Sequence, residues 1–319
     1  MANKPLDNGT ELSDYTLVRR ISNGGMGIVY LARTKSGKPV VIKEYLPQHL
    51  NLRKQGNRVH VFNPRENAIF EAGMRDFFSE NEVLSKIQHP SVVQVIDCFQ
   101  MNNTAYSVMQ YVYGQSLQHV IQAEGENGLP ETFIRKVFLD VLSGVAWLHK
   151  NRVLHLDIKP SNIYVTHYGQ AMLLDFGTAW LLDFDSPEKK KKSPMHTPGF
   201  APPEQHKMYY LPTRMGPQTD LYALGCSMYS CINGNPPEVS TDRLDEDYEE
   251  TPAEIAWMGQ YSPWLLRLID ELMILEWDKR PNSAQEIWQR LEDAKAINYE
   301  NPIKEHLNKL IFRTQENYQ

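Results

Sequence analysis

The sequence predicts an α+β chain in two unequal halves: a small antiparallel β-sheet half carrying one key helix, then a larger, mainly α-helical half. Three observations predict it. From 15 to about 109, apolar and polar residues alternate in short runs rich in β-branched residues, as in Gly-Ile-Val-Tyr-Leu-Ala (27–32) and Pro-Val-Val-Ile-Lys (39–43), which is the period of half-buried strands. One segment breaks the alternation. Phe77, Val83, Leu84 and Ile87 set an apolar stripe on a helix over 75–88, which His89-Pro90 ends. From 117 onward helical periods dominate, at 131–151, 219–233 and 262–276. The halves meet at 110–116, which reads as a hinge.

Length and composition agree with this architecture. A chain of 319 residues, 41% hydrophobic, buries a large core as one two-part domain or as two ordinary ones. The formal net charge of -6 argues against nucleic acid as the main partner, because no basic stripe accompanies it; the single basic run is Lys189 to Lys192. Cys98, Cys226 and Cys231 have no metal-ligand spacing, and an odd count suits reduced thiols packed as small core residues. The first residues lack the apolar stretch of a signal peptide, and no uncharged apolar run is long enough for a bilayer, so no membrane insertion and a cytoplasmic location are expected.

The chemistry is concentrated in 153–177. Val-Leu-His155-Leu-Asp157-Ile-Lys159-Pro-Ser-Asn162-Ile-Tyr-Val is followed, after a short hairpin, by Leu-Leu-Asp175-Phe176-Gly177. A carboxylate, a lysine two residues on, an asparagine five residues on and a second carboxylate beyond a β-hairpin are what it takes to position a metal-bound nucleotide beside an alcohol. Asn162 and Asp175 supply oxygen ligands for hard cations, while Asp157 stays free to orient the nucleophile. The plain alternative is an ordinary strand pair, Ile-Tyr-Val and Met-Leu-Leu around the turn His-Tyr-Gly-Gln, with polar residues at its ends. The number of matched positions disfavours it.

The segment resembles the catalytic and magnesium loops of the eukaryotic-like Ser/Thr protein kinases, and the resemblance runs from 15 to 291. Val-Ile-Lys-Glu-Tyr-Leu-Pro (41–47), the long insert after it and Asn-Ile-Tyr-Val (162–165) look most like bacterial members. The resemblance implies the bilobal protein-kinase fold, with an extension at 1–14 and a kinase domain at 15–295. That domain divides into an N-lobe at 15–109, a hinge at 110–116 and a C-lobe at 117–295, and a helical tail follows at 296–319. Nucleotide would lie in the cleft between the lobes.

By the same resemblance the expected activity is transfer of the ATP γ-phosphoryl group to protein Ser/Thr hydroxyls, autophosphorylation included, with Mg²⁺, or Mn²⁺ in its place, as the ion. The implied catalytic residues are Asp157, Lys159, Lys43 and Glu80, with Glu82 as runner-up to Glu80. Ile21, Ser22, Gly24, Gly27 and Val29 form a glycine-rich loop whose backbone approaches phosphate. Val41, Val29 and Tyr164 cover the base, Lys43 holds the α- and β-phosphates, Met109 limits the pocket, and Gln110 and Val112 bind adenine through their backbones. Leu84, Val95, His155 and Phe176 form a hydrophobic column. Thr197 contacts Asp157 and Lys159, Glu204 pairs with Arg280, and Asp220 holds the catalytic-loop backbone. Protein substrates are the implied partners, with a metal-dependent phosphatase or a phosphothreonine-binding domain beside them.

Two positions depart from the family pattern. Ser22 stands where the first loop glycine is usual, and Leu156 replaces the arginine that receives a phosphorylated activation loop. The second predicts a kinase active without phosphorylation of Ser186 or Ser193, with Lys189 to Lys192 a solvated run rather than a phosphate clamp. Both departures also fit the competing function, a pseudokinase scaffold that binds nucleotide or partners without turnover, but retention of all six motif residues weighs against it. The segment 46–74 reads as an insert that packs on its own lobe or docks a regulator. The acidic stretch 242–250 reads as a solvated loop, with attraction of basic substrates as its alternative.

Overall fold

The computed structural model describes residues 3–50, 53, 56–125, 128–176, 180–181, 196–206, 209, 214–245, 248 and 251–294. The chain divides into two compact units, one of residues 1–89 and 93–112, the other of 90–92 and 113–319.

The first unit is a six-stranded, wholly antiparallel sheet and one helix. Its strands are β1 (Glu11–Leu12), β2 (Tyr15–Gly24), β3 (Gly27–Thr34), β4 (Pro39–Tyr45), β5 (Val95–Met101) and β6 (Thr104–Gln110), in the order β1-β2-β3-β4-β6-β5. Register sorts the two faces, because directly opposed residues share one. Val29 opposes Lys43, Leu31 opposes Val41, and β6 sets Ser107 and Met109 against Lys43 and Val41. The other face carries Ile28, Tyr30, Ala32, Val40, Ile42, Tyr106 and Val108, all buried.

That second face is covered by chain from outside the central strands. Leu6 and Leu12, from the stretch read as an extension, and Leu46, Leu50 and Val59, from the stretch read as an insert, join its core. Each such side chain, fully buried, contributes roughly 1.5–3 kcal/mol.

Helix α1 (Pro64–Ser85) lies on the Lys43 face. It begins 11 residues before the expected 75 and stops at 85 rather than 88. The start signal lies inside the supposed insert: the Asn63 side chain accepts from the Arg65 amide and Pro64 occupies the first turn. Tyr45 packs against Phe70 and Phe77, with ring centroids 5.3 and 5.6 Å away. A Cβ on Gly73 would stand 2.1 Å from the Tyr45 hydroxyl, so glycine there lets the helix close on the ring.

The second unit is mainly helical: α2 (Leu117–Glu124), α3 (Glu131–Lys150), α4 (Pro217–Asn233), α5 (Ala253–Ala256), α6 (Pro263–Leu272) and α7 (Ala284–Asp293). Short strands position its loops. β7 (Gly114–Ser116) pairs with β9 (Ile163–Thr166), which forms a hairpin with β10 (Ala171–Leu173), while β8 (Val153–Leu154) pairs with β11 (Trp180–Leu181). Helices α3, α4 and α6 follow the three sequence periods within a few residues; α7 was not anticipated. The expected tail helix at 296–319, Ser186, Ser193 and the Lys189 to Lys192 run lie outside the described residues. Cys98, Cys226 and Cys231 form no disulfide; Cys226 and Cys231 are buried as expected, whereas Cys98 on β5 is only half-buried.

Candidate functional site

The candidate residues from His155 to Asp175, with Thr197, are assembled within the second unit. Strand β8 delivers His155, a 3₁₀ turn at Pro160–Asn162 follows, and β9 carries the chain away. The Asp157 carboxylate gathers three donors: Thr197 Oγ1 gives to Oδ1 at 2.6 Å, Lys159 Nζ to Oδ1 at 3.0 Å, and Asn162 Nδ2 to Oδ2 at 3.0 Å. Lys159 Nζ also donates to Thr197 Oγ1 at 2.7 Å, which closes a ring of three side chains. Asn162 Nδ2 further donates to the Asp157 carbonyl at 2.8 Å. Both amide protons are thus directed at Asp157, so Oδ1 is the atom with which Asn162 could hold a cation.

His155 joins this loop to the segment bearing Asp175. Its Nδ1 accepts from the Asp157 amide at 3.3 Å, which leaves Nε2–H to donate to the Leu174 carbonyl at 3.1 Å. Leu174 N in turn donates to the Asn162 carbonyl at 2.8 Å, and the His155 ring lies 4.9 Å from that of Phe176. Asp175 holds a left-handed backbone, φ 59°, which only a few non-glycine types adopt readily. With an oxygen from Asn162 and a carboxylate on a fixed turn, the donor set fits a hard divalent cation completed by phosphate oxygens and water.

The loop is braced from beneath. Asp220, wholly buried at the start of α4, accepts from the His155 amide at 2.9 Å and the Leu156 amide at 2.8 Å, and His149 Nε2 lies 2.8 Å from its Oδ2. Burial alone would push this carboxyl up; the hydrogen bond and charge of His149, then His155, outweigh it and hold the group below its ordinary value. Gln205 Nε2 donates to the Leu156 carbonyl at 3.0 Å. Leu156 is therefore held on both sides in a left-handed conformation, φ 61°, with its side chain buried against Leu154 and Met215. The place expected to receive a loop phosphate is apolar.

Glu204 and Arg280 form a two-pronged buried pair, Nη1 to Oε1 at 2.8 Å and Nη2 to Oε2 at 2.9 Å. Thr219 and the carbonyls of Gln218, Ile274 and Leu275 satisfy the remaining groups.

The other expected residues lie in the first unit. Ser22 opposes Val29, so Ser22, Val29, Val41, Lys43 and Met109 all stand on one sheet face. Ile21 is exposed, and Gly24 and Gly27 oppose each other at the β2–β3 turn. A Cβ on Gly27 would meet the Glu44 carbonyl at 1.9 Å, so glycine is required there by the neighbouring strand itself. Gln110 ends β6, its amide bonded to the Gln94 carbonyl at 3.0 Å, and Val112 is buried. Tyr164 is half-buried on β9 of the second unit.

Glu80 is half-buried on α1, while Glu82 is exposed and pairs with Lys86 at 3.3 Å. Leu84 and Val95 are buried in the first unit, His155 and Phe176 in the second. Sequence reasoning missed Asn81 and Ser107. The Ser107 hydroxyl, on the strand position opposite Lys43, donates to Asn81 Oδ1, which ties the Glu80 turn of α1 to the Lys43 face. A lone serine in the apolar run Ala-Tyr-Ser-Val-Met was the available signal.

Comparison with known proteins identifies the family and the fold. The protein kinase domain family matches residues 15–291. The chain is 29% identical over 294 residues to the serine/threonine-protein kinase pkn2 of Myxococcus xanthus, covering 88% of this chain and 32% of that protein. It is 30% identical over 223 residues to a probable serine/threonine-protein kinase of Clostridium perfringens, covering 70% of this chain and 29% of that one. This chain therefore spans about a third of the length of these curated relatives. The solved structure of PpkA-294 in its apo form superposes with a TM-score of 0.75 at 30% identity, covering 90% of this chain and 99% of that one. With the family match spanning nearly its whole length, the chain belongs to the protein kinase family.

Proposed function

We propose that this chain transfers the γ-phosphoryl group of ATP to serine and threonine hydroxyls of proteins. The observation that carries the reading is the closed ring Asp157–Lys159–Thr197 with Asn162 behind it. In a loose phosphoryl-transfer transition state the protein's work is placement and charge compensation rather than strong basicity. Asp157 orients the incoming hydroxyl and takes its proton late in transfer. Lys159, held 2.7 Å from Thr197, is positioned to offset negative charge on the migrating group. Thr197 contacts both, as in the Ser/Thr-directed branch that the sequence resembles.

Lys43, oriented by Glu80, is assigned to the nucleotide α- and β-phosphates. Ile21, Ser22, Gly24, Gly27, Val29, Val41, Met109, Gln110, Val112 and Tyr164 are assigned to the nucleotide pocket. Asn162 and Asp175 are assigned to the metal, Mg²⁺ with Mn²⁺ as substitute; when bound, the ion neutralises and aligns the phosphates. The proposed partners are protein substrates, and a cytoplasmic site of action follows from the need for ATP. A metal-dependent phosphatase and a phosphothreonine-binding domain rest on the family resemblance alone. Among the described residues no helix is long and apolar enough to cross a membrane.

The test is transfer from labelled ATP to the protein itself and to a generic basic protein, with Mg²⁺ and with Mn²⁺, comparing wild type and Asp157→Asn. Phosphate on Ser or Thr that vanishes in the variant supports the reading. ATP binding without transfer under either ion would move the assignment to a non-catalytic scaffold.

A further inference from the structure

We propose that Glu44, the residue after Lys43, is a positioning residue for Lys43, and that the amino-terminal segment completes the clamp that holds it. The inference rests on the assignment of Lys43 to the nucleotide phosphates. Successive strand residues point to opposite faces, so Glu44 projects from β4 away from Lys43 and into the covered side of the sheet. Its side chain is fully buried there and takes donors from three separate parts of the chain. Tyr30 on β3 gives to Oε2 at 3.1 Å and Tyr106 on β6 gives to Oε1 at 2.8 Å. Arg53 grips the carboxylate with both terminal nitrogens, Nη1 to Oε2 at 3.0 Å and Nη2 to Oε1. Burial and the Glu44 charge together push both tyrosine phenols up, as expected beside an ionised carboxylate.

Arg53 is itself held by the first residues of the chain. Its amide donates to Asn3 Oδ1 at 3.0 Å, its Nη1 to the Lys4 carbonyl at 3.2 Å, and its carbonyl accepts from the Lys4 amide at 3.1 Å. Asn3 Nδ2 donates to the carbonyls of Pro47 and Leu50 at 3.0 and 2.8 Å, and the Leu6 amide donates to the Tyr30 hydroxyl at 3.0 Å. A continuous hydrogen-bonded path thus runs from Asn3 to the residue beside Lys43.

Stability alone is a poor account of such a buried pair, because apolar side chains of similar volume often serve as well or better. What it supplies is a fixed point. β4 is an inner strand between β3 and β6, and its carboxylate is bonded to both neighbours, so neither sliding nor local twisting at Glu44 is free. A shift at Glu44 moves Lys43, and a binding group tolerates displacement of only about 0.5 Å.

The test compares wild type, Glu44→Gln, Tyr106→Phe, Asn3→Ala and a Lys43→Met control for kcat, KM for ATP, KM for a peptide substrate, direct nucleotide affinity and Tm. The expected result is a KM for ATP raised roughly tenfold in Glu44→Gln, the scale of lost charge-assisted hydrogen bonds. Smaller rises are expected in Tyr106→Phe and Asn3→Ala, with peptide KM unchanged in all three. A lowered Tm with KM for ATP and nucleotide affinity unmoved would make Glu44 purely structural and overturn the proposal. If Glu44→Gln fails to fold, Tyr106→Phe and Asn3→Ala decide by the same criterion. Lys43→Met separates the two ideas: wild-type nucleotide affinity in that variant would overturn the phosphate assignment of Lys43, whatever the Glu44 variants do.

Discussion

At the residue scale the hydroxyl of Thr197 carries more than its size implies. It donates to one charged partner and accepts from another, Asp157 at 2.6 Å and Lys159 at 2.7 Å. Hydrogen bonds to charged groups are worth about 1.5–3 kcal/mol, so Thr197→Ala is expected to lower kcat about 10- to 100-fold with little change in KM for ATP. Thr197→Ser should restore most of the loss. One residue upstream, the His196 ring lies 4.3 Å from that of His206, and Ser240 Oγ lies 3.2 Å from His206 Nε2. Burial, then the charge of His196, lowers the His206 pKa against the opposing pull of Ala201, Asp242 and Glu204. The sign follows: the folded state prefers neutral His206, so its contribution is complete above the ordinary value of about 6.5 and is lost as pH falls below it towards the folded pKa. Tm is therefore expected to fall between pH 7 and 5, and by less in His206→Gln. Equal slopes in the two proteins would remove His206 as the cause. These side-chain contacts join residues far apart in the chain, and the spacing of His155, Asp157, Lys159, Asn162 and Asp175 was legible because those residues are close in sequence. The His196–His206 contact and the Asn81–Ser107 bond left no such pattern.

At the element scale, close packing sets which residues a helix tolerates. Gly225 lies in the middle of α4, where glycine costs about 1 kcal/mol of helix propensity relative to alanine. A Cβ there would stand 2.7 Å from Leu272 Cβ and 3.0 Å from Met273 Cγ, so α4 and α6 meet at the missing side chain. Overpacking costs about 1–3 kcal/mol, and the neighbouring atoms are near the backbone and slow to yield. Gly225→Ala is accordingly expected to destabilise despite its better propensity, read as a lower denaturation midpoint with an unchanged m-value; a gain in stability would show that the helices separate at little cost. The same kind of contact explains what the sequence hid about α1. Its apolar stripe was readable from Phe77 onward, but its first three turns pack through Phe70, Gly73 and Tyr45 and carry Asn67, Glu71 and Arg75 on the outside. A glycine that exists to admit a tyrosine from β4 weakens the helical pattern exactly where tertiary packing supplies the stability. Helices α3 and α4 were plain because their buried faces run nearly the whole length of each.

At the scale of the whole molecule, the division into units does not follow a single cut in the chain. The backbone passes between them at 89/90, 92/93 and 112/113, and the three residues Pro90–Val92 belong to the second unit. They are bonded there: the Ser91 carbonyl accepts from Leu173 N at 2.9 Å, Val92 forms a parallel bridge with Leu173, and the Pro90 carbonyl accepts from Gln170 Nε2 at 3.2 Å. Gly144 on α3 lies close against Ser91, whose carbonyl would stand 3.0 Å from an added Cβ. A chain cut at the sequence-defined hinge, beginning at Tyr113, would therefore lack an internal strap and leave the Leu173 amide and the α3 surface at Gly144 uncovered. Loss of that hydrogen bond costs about 0.5–1.5 kcal/mol and the exposed apolar contact adds to it, which is a sizeable part of the stability of a domain. The fragment from Tyr113 is expected to unfold at a lower denaturant midpoint than the same residues do in the full chain, with weakened amide exchange protection concentrated at β10 and the middle of α3. Restoring the strap as an added Pro90–Val92 peptide at high concentration should recover part of that protection. A fragment as protected at Leu173 and Gly144 as the full chain would mean that the second unit is complete without residues from the first half of the sequence, and that the three crossings are a matter of route rather than of stability.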